Sequence, residues 1–457
     1  MSIAERQDPA SLQPFPVTAD MAGWVAQLRS GDISSQAVTW AKHALLDWFG
    51  VTIAAADEPL VRMLVEELAG SEDGSCSLVG LGRRAGLHDA ALINGAASHA
   101  LDYDDVNRRL HGHPTVCAAP AALALGEFVK ASGRDVLAAF IAGTEVACAL
   151  GEMCDEGHYE AGYHATGTMG TFGAAAAAAQ MMGLDAPATA RALGIAASEA
   201  AGLKCNFGTM TKPLHAGKAA VNGLLAARLA ARGFTAREDA VETRQGFADV
   251  LAPGFEGGPI RPDPAAPLAV EQNLFKYHAA CYLTHSSLEA LGALKRDHGI
   301  GLDDVASATL HIRPTHFSVC CIPAPTTGLE IKFSIAHLAV LALDGVDTAA
   351  LASYSDANAN DPRYVAARER VRLDARQDVD RLAAVVTLEL TDGRTLTGEA
   401  DVGMPADDLD AQWGKLTAKF RALAGPVIGD ARSDALIETV ATLDDHPDLT
   451  RLMEAAR

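Results

Sequence analysis

The sequence predicts a mainly α protein that combines a large all-helical domain with a smaller α+β lid domain containing a short antiparallel sheet. Three observations support this fold class. Apolar residues recur every three or four positions through most of 18–231, which is typical of helices. A proline-rich stretch at 252–267 interrupts the pattern and predicts a domain boundary. Beyond it, apolar and polar residues alternate at 305–312 and 384–390, as they do in strands.

Glycine, proline and aspartate separate the helical stretches of the first domain, because these residues begin or end helices. The stretches are rich in alanine and glycine and poor in aromatic residues, so we expect the helices to pack closely. The periodicity predicts helices over 21–28, 35–54, 59–69, 87–99, 118–131, 135–153, 170–182, 187–201 and 216–232.

The chain beyond the boundary mixes helices and strands. A Thr391-Asp-Gly-Arg394 turn predicts a hairpin between the last two strands. The predicted strands are 305–312, 384–390 and 395–400, with helices 283–298 and 333–343 covering one face of the sheet. Helical periodicity returns at 406–424 and 433–443, and we expect these helices to dock on the first domain. The predicted domains are therefore the helical domain, 1–268 with 405–457, and the lid domain, 269–404.

The charge balance argues against nucleic acid as a partner. The chain of 457 residues has a formal net charge of −21, whereas affinity for nucleic acid comes mainly from clustered lysine and arginine. With 49% hydrophobic residues it can bury at least one large core. Its most apolar runs, such as 173–183, are shorter than the roughly 20 strongly apolar residues that span a bilayer. We therefore expect no membrane partner.

The sequence lacks the features of export and of common cofactor sites. Residues 1–20 contain neither a basic n-region nor an apolar h-region, so we expect no secretory signal and a cytoplasmic location. Eight cysteines are scattered without CxxC spacing, which favours reduced thiols. HExxH, Walker, EF-hand and GxSxG motifs are absent, so we expect neither a metal nor an organic cofactor, and we do not expect a serine hydrolase.

Titratable residues are concentrated between the predicted helices 87–99 and 118–131. Asp102, Asp104, Asp105, His111 and His113 lie within twelve positions of otherwise small, apolar surroundings. Such a density of acids and imidazoles is typical of a pocket for proton transfer. The alternative is a solvated loop between two helices with an acidic N-cap.

Two further segments have both a functional and a structural interpretation. The glycine-rich run at 163–173 places His164 before Gly170 and Gly173 and resembles a phosphate cradle, but it lacks GxGxxG or GxxxxGK spacing. Its alternative is close helix packing through the two glycines. At 208–217, Lys212 directly precedes Pro213 at a helix entrance, where its ammonium can point into a cleft. Taken alone, it is equally any surface lysine.

A fourth segment opens the predicted lid domain. Lys276, Cys281 and His285 lie at its junction with the helical domain, where pockets commonly form. A single histidine here is more often structural. Four such clusters in one chain nevertheless favour a functional site.

Taken together, these segments resemble the MmgE/PrpD family, which includes 2-methylcitrate dehydratase, cis-aconitate decarboxylase and iminodisuccinate epimerase. The resemblance spans nearly the whole chain. It rests on NGAASHALDYDD followed by HGHP, His164 six residues before Gly170-Thr-Phe-Gly173, TKPLHAG, the segment from Cys281 to His285, and Lys332-Phe-Ser334. It implies a large helical domain with an inserted α+β lid, and a homodimer.

The resemblance also implies which residues act on the substrate. The implied catalytic residues are Asp102, His113, His164, Lys212 and His285. In this interpretation Lys212 holds the substrate carboxylates, His113 and His164 transfer protons, and Asp102 orients one imidazole. Closure of the lid brings Cys281 and His285 over the site and excludes water. The implied substrate-binding residues are Lys212, Thr211, Cys281, Lys276 and Lys332.

The chemistry of the family suggests a cofactor-independent lyase, a dehydratase or decarboxylase, that acts on a small di- or tricarboxylic acid. Its reactions all pass through carbanion character next to a carboxylate. The alternative is an epimerase of an amino-dicarboxylate such as iminodisuccinate, with the same residues as a two-base pair. An inactive carboxylate-binding protein is a third hypothesis, but a binding protein needs the lysine and not the paired histidines.

Overall fold

The computed structural model describes residues 15–69 and 74–457, and the predicted mainly α class is confirmed. Residues 1–14, on which the expectation of no secretory signal largely rests, lie outside the described residues. The first group of elements is α1 (Val17–Gln27), α2 (Ser35–Ala54), α3 (Pro59–Leu68), β1 (Cys76–Leu78), β2 (Arg83–Ala85), α4 (Leu87–Ala100), α5 (Thr115–Val129), α6 (Gly133–Glu160), α7 (Ala165–Met181), α8 (Ala186–Glu199), α9 (Thr211–Ala230) and α10 (Phe247–Leu251).

The second group forms a unit around a sheet, after which the chain returns to the helices. The sheet unit comprises α11 (His285–His298), β3 (Val305–Ile312), α12 (Gly328–Ile331), α13 (Ile335–Asp344), α14 (Asp356–Ala359), α15 (Pro362–Arg368), β4 (Val371–Ala375), β5 (Ala383–Leu390) and β6 (Thr395–Asp401). The returning helices are α16 (Leu409–Ile428), α17 (Asp430–Ala441) and α18 (Thr450–Ala456). We call α1–α10 with α16–α18 the helical body. The predicted domain limits at 268/269 and 404/405 stay a prediction.

Glycines let the core helices approach closely. Helices α4 and α9 cross where a Cβ on Gly95 would lie 2.9 Å from the Cα of Gly217. Helices α6 and α7 cross where a Cβ on Gly173 would lie 2.7 Å from the carbonyl oxygen of Gly143. A Cβ on Gly170 would lie 2.5 Å from a sulfur atom of α5. The glycine-rich run at 163–173 therefore serves helix packing, and the alternative of a phosphate cradle is not supported.

In the described part of the chain, α6 is the one helix long and apolar enough to cross a membrane. Its most apolar window is 94% buried within the protein. Neighbouring helices cover it, which is the environment of a core helix in a helical bundle.

The sheet of the sheet unit is mixed, with strand order β4-β3-β5-β6. Strands β3 and β5 pair antiparallel, as do β5 and β6 through the predicted turn, in which Gly393 has a φ of 89°. Strand β4, which was not predicted, pairs parallel to β3, with Leu310 opposite Leu373, so one parallel strand extends the predicted short antiparallel sheet. The physical reason is the connection: helices α12–α15 lie between β3 and β4 and provide the long crossover that parallel pairing needs. Apolar residues of α11 and α13 cover one face of the sheet.

The returning helix α16 packs on α2 and ties the end of the chain to the loop after α4. Lys419 of α16 forms a buried ion pair with Asp47 of α2 at 2.6 Å. The same ammonium donates a hydrogen bond of 2.8 Å to the carbonyl oxygen of Tyr103. Tyr103 is itself buried and its ring lies 4.0 Å from the ammonium. A residue near the C-terminal end of the described chain thus fixes the backbone of an N-terminal loop.

Candidate active site

The loop 101–114 between α4 and α5, here the acidic loop, is buried and held by backbone contacts. Val106 exchanges two backbone hydrogen bonds with Leu274, of 2.9 and 2.8 Å. Two non-glycine residues adopt left-handed backbone conformations, Asp102 with φ 51° and His111 with φ 54°. Such conformations are costly and concentrate at functional sites. The alternative of a solvated loop fails, because Asp102 is only 5% exposed.

Asp102 is the anion of a buried cluster with two lysines. Its Oδ1 lies 2.7 Å from the Nζ of Lys212, in the first turn of α9, and 3.3 Å from the Nζ of Lys276. Lys276 also donates to the backbone carbonyl of Asp102 at 2.6 Å. Burial alone would raise the pKa of Asp102, but the two lysines outweigh burial and lower it below its ordinary value. The carboxylate therefore stays ionised and leaves one positive charge of the lysine pair uncompensated.

Asp104 bridges two imidazoles. Its Oδ2 lies 2.8 Å from the Nδ1 of His113, and both of its oxygens lie 3.0 Å from the Nδ1 of His99. Burial would raise the pKa of Asp104, yet His113 and His99 lower it well below its ordinary value. Asp104 is thus the carboxylate nearest to an imidazole nitrogen of His113, since the Nε2 of His113 is 3.9 Å from Asp102, the residue expected from the sequence to orient one imidazole.

Asp105 has the opposite electrostatic environment from its neighbour Asp104. Its Oδ2 accepts hydrogen bonds from the hydroxyl of Thr115 at 2.6 Å and from the amide of Asn273 at 2.7 Å. Burial raises its pKa well above the ordinary value, with no cation close enough to compensate. The pKa values of two adjacent buried carboxyl groups are therefore displaced in opposite directions, that of Asp104 downward and that of Asp105 upward.

His164 lies at the N-terminus of α7, and its buried ring has three aromatic neighbours. Its Nδ1 lies 3.0 Å from the Nδ1 of His215, so one of the two donates and the other accepts. The rings of His99 and Phe207 lie 5.8 and 4.9 Å from it. Burial lowers the pKa of His164 well below its ordinary value and that of His99 to about 4. His164 is therefore neutral at physiological pH.

These groups line one cavity of about 260 Å³ between the helical body and the sheet unit. Six residues predicted from the sequence line it: Asp102, His113, His164, Lys212, Lys276 and Cys281. Its walls carry five cationic side chains against three carboxylates, although the chain as a whole has a net charge of −21. The wall is thus locally positive, as an anionic substrate requires.

Three sequence-predicted residues do not line this cavity. His285 lies in a second cavity with Tyr277 and Gln412, and its ring packs 4.9 Å from that of His278. Lys332 donates to the carbonyl oxygen of Leu101 behind the acidic loop, and burial lowers its pKa to about 8. Thr211 begins α9 one residue before Lys212 without reaching the cavity wall. The geometry therefore gives no support to a direct role for these three.

Other residues of the site were missed by the sequence interpretation. Asp104 lies in the titratable segment, but its contact with His113 was not anticipated. His215 belongs to the TKPLHAG motif, yet spacing alone does not show that it meets His164. Arg381 lines the cavity from the sheet unit, and no local pattern in the sequence marks it.

Four residues place one potential metal ligand each within 4.8 Å of one another: His99, Asp102, Asp104 and His113. The two carboxylates of this set are already engaged, since Asp102 faces two ammonium groups and Asp104 faces two imidazoles. A cation here would displace Lys212 from Asp102 at 2.7 Å. The set fits a hydrogen-bonded network better than a ligand sphere.

Comparison with known sequences identifies the family of this chain. The sequence model of the MmgE/PrpD N-terminal domain matches residues 19–258, and that of the MmgE/PrpD C-terminal domain matches residues 278–445. The chain belongs to the MmgE/PrpD family. The resemblance drawn from the sequence motifs is thereby confirmed.

Among curated MmgE/PrpD relatives, a cis-aconitate decarboxylase of Aspergillus terreus is 27% identical over 467 residues, covering 96% of this chain and 95% of that protein. The cis-aconitate decarboxylase of Mus musculus is 28% identical, covering 96% and 93%. The cis-aconitate decarboxylase of Homo sapiens is 29% identical, covering 79% of this chain and 78% of that protein. None of these relatives is an epimerase, so the comparisons give no support to that alternative.

Proposed function

We propose that this chain is a lyase that decarboxylates a small unsaturated tricarboxylate such as cis-aconitate. The observation that carries the proposal is the convergence of Asp102, Lys212, Lys276, His113 and His164 on one locally positive cavity. Its MmgE/PrpD relatives of similar length are cis-aconitate decarboxylases, which supports a decarboxylase over a dehydratase.

Lys212 and Lys276 are proposed to hold the carboxylate that receives electron density during the reaction. When carbon dioxide leaves, the electron pair of the broken C–C bond moves into the conjugated system that ends in a remaining carboxylate. The lysine pair shares one anion, Asp102, so one positive charge is available to that group. Phe207 and Phe333 lie 5.3 and 5.5 Å from the Lys212 ammonium and limit its solvation, which strengthens its attraction for an anion.

His113 is proposed as the acid that returns a proton to carbon, which balances the loss of carbon dioxide from the substrate. Its Nδ1 faces the carboxylate of Asp104 and the carbonyl oxygen of Asp105, both at 2.8 Å. This leaves Nε2 for the substrate, with Asp102 3.9 Å away to stabilise the imidazolium. Protonation of a reacting carbon by a positioned acid is typically worth about 10²–10⁴-fold in rate.

His164 is proposed to act as a neutral hydrogen-bonding group and not as a second base. Burial disfavours its charged form, and its contact with His215 fixes the ring orientation. This differs from the proton-transferring role of His164 expected from the sequence. We further propose that the reaction needs no metal or organic cofactor.

The remaining expectations about partners are also proposals. A homodimer follows from the resemblance to the family, and light scattering tests it by returning twice the mass of one chain. The net charge of −21 favours small anions gathered in a local positive cavity over nucleic acid as a partner.

Proton NMR in D2O tests the proposed reaction. Purified protein is incubated with cis-aconitate, and in parallel with citrate, 2-methylcitrate and iminodisuccinate. We expect cis-aconitate to lose one carboxylate as carbon dioxide and to gain one deuterium at carbon. Deuterium exchange without loss of carbon dioxide would favour the epimerase, loss of water from 2-methylcitrate would favour a dehydratase, and unchanged spectra would reject the proposal.

A pair of variants on α9 controls this experiment. Lys212→Met removes the proposed clamp and is expected to abolish product formation, by more than about 100-fold. Lys218→Met changes an exposed lysine of the same helix and is expected to leave turnover within about threefold. Equal activity in both variants would remove Lys212 from the site.

A further inference from the structure

The two lysines of the cavity, Lys212 and Lys276, both form ion pairs with Asp102. Both lysines face its Oδ1, and Lys276 additionally holds its backbone carbonyl. This cluster offers about one net positive charge to the substrate. A tricarboxylate brings up to three negative charges, so further cationic contacts are needed elsewhere in the cavity.

Arg381 lies on the cavity wall contributed by the sheet unit, between β4 and β5. Its Nη1 lies 2.8 Å from the Nδ1 of His111, and its nearest carboxylate, Glu156, is 3.7 Å away. Its guanidinium carbon lies 5.4 Å from the ring centre of Tyr159. These contacts hold the guanidinium in place but use few of its five N–H donors.

His111 orients Arg381 as a neutral acceptor. Burial, assisted by the charge of Arg381, lowers the pKa of His111, so that its Nδ1 accepts the hydrogen bond from the arginine. The left-handed backbone of His111, with φ 54°, turns its ring toward the sheet unit. The costly backbone conformation therefore has a structural role, because it places His111 of the acidic loop in contact with Arg381 of the sheet unit.

Arg313 adds a second guanidinium to the same wall, directly after β3. Within the described residues its side chain makes one hydrogen bond, of 3.4 Å, to the carbonyl oxygen of Val379, and no ion pair. Val379 precedes Arg381 by two positions, so the two arginines belong to one patch. Guanidinium groups bind carboxylates through two parallel hydrogen bonds, a geometry that lysine does not provide.

We propose that Arg381, oriented by His111 and supported by Arg313, binds the substrate carboxylate remote from Lys212 and so selects tricarboxylates over dicarboxylates. This inference rests on the proposed function, because it assigns a binding residue to the second end of the substrate in the same cavity. It adds a specificity-determining residue that takes no part in bond breaking.

The test compares Arg381→Gln, Arg381→Lys and the control Arg363→Gln. Arg363 is an exposed arginine of the sheet unit that pairs with Asp303 and Asp344 away from the cavity. Calorimetry measures binding of tricarballylate, an unreactive tricarboxylate, and of maleate, a dicarboxylate. Steady-state kinetics with cis-aconitate give kcat and KM for the same proteins.

We expect Arg381→Gln to weaken tricarballylate binding and to raise KM by about 10–100-fold, while kcat and the affinity for maleate change by less than about threefold. Arg381→Lys should recover part of the affinity, and Arg363→Gln should match the wild type. Equal losses for tricarballylate and maleate, or a fall in kcat at constant KM, would overturn the inference.

Failure of the proposed function gives a different result. If the wild type binds tricarballylate with the Arg381-dependent preference but releases no carbon dioxide from cis-aconitate, the selectivity stands and the decarboxylase proposal falls. If the wild type binds neither acid, both are refuted. Melting temperatures of the variants separate a loss of binding from a loss of folding, and Arg381→Lys keeps the charge if Arg381→Gln unfolds.

Discussion

The substitution Asp104→Asn tests the most specific electrostatic feature of the site. It keeps the shape of the side chain but removes the charge that lies 2.8 Å from the Nδ1 of His113. With about 4 Å between the centres of charge and an effective dielectric constant of about 20, the lost attraction for an imidazolium is about 4 kcal/mol. Because about 1.4 kcal/mol corresponds to tenfold, and Asp102 still supports the ring, we expect kcat to fall by about 10²–10³-fold.

Steady-state release of carbon dioxide from cis-aconitate provides the assay. The loss is expected in kcat, because Asp104 acts through His113 and is not proposed to contact the substrate.

Asp105→Asn is the matched control. Burial raises the pKa of Asp105, and an asparagine oxygen can accept the same hydrogen bonds from Thr115 and Asn273. We expect kcat to stay within about threefold of the wild type. The reasoning is refuted if Asp104→Asn keeps its kcat, or if the two variants lose activity equally.

Three further outcomes follow from the structure. Exhaustive EDTA treatment should leave turnover unchanged, because Lys212 already occupies the cationic position beside Asp102; a loss that added metal restores would contradict this. Lys419→Met should lower the free energy of unfolding in urea by about 3 kcal/mol or more, since it orphans a buried carboxylate, whereas exposed Lys415→Met should cost less than about 0.5 kcal/mol. The pKa of Lys332 falls from 10.5 to about 8 on folding, so the folded state binds fewer protons in that window and stability rises with pH there. The wild type should gain about 3 kcal/mol relative to Lys332→Met between these pH values, and a constant difference would exclude the shift.

Local periodicity was sufficient for most of the helices because their apolar faces are continuous. Helix α2 (Ser35–Ala54) and strand β3 (Val305–Ile312) have the predicted limits. Strand β4 (Val371–Ala375) was not predicted, because its five residues are partly exposed and show no clear apolar pattern. It forms because it pairs with the edge of β3. Its stability comes from a partner 63 residues away in the chain, which no local pattern reveals.

The candidate site, like the fold, was predicted in part from local patterns. Asp102, His113, His164 and Lys212 were predicted from short motifs, and the structure brings them to one cavity. Which carboxylate serves which partner could not be predicted, because the left-handed turn at Asp102 directs its side chain toward Lys212 and leaves Asp104 to the imidazoles. His285 belongs to a motif yet lies in another cavity. Motifs therefore identify a neighbourhood, and backbone geometry assigns the contacts within it.

The hydrogen bond from Lys419 to the carbonyl oxygen of Tyr103 joins α16 to a loop that is synthesised much earlier. The two residues are 316 positions apart, so the acidic loop acquires its last anchor only when α16 has been synthesised and docked. Contacts of such long sequence separation form late in folding, because the entropy of closing the intervening chain must be overcome first. A chain that ends before α16 would have every proposed catalytic side chain but an incompletely anchored loop, so we expect the geometry of the site to depend on the docking of α16.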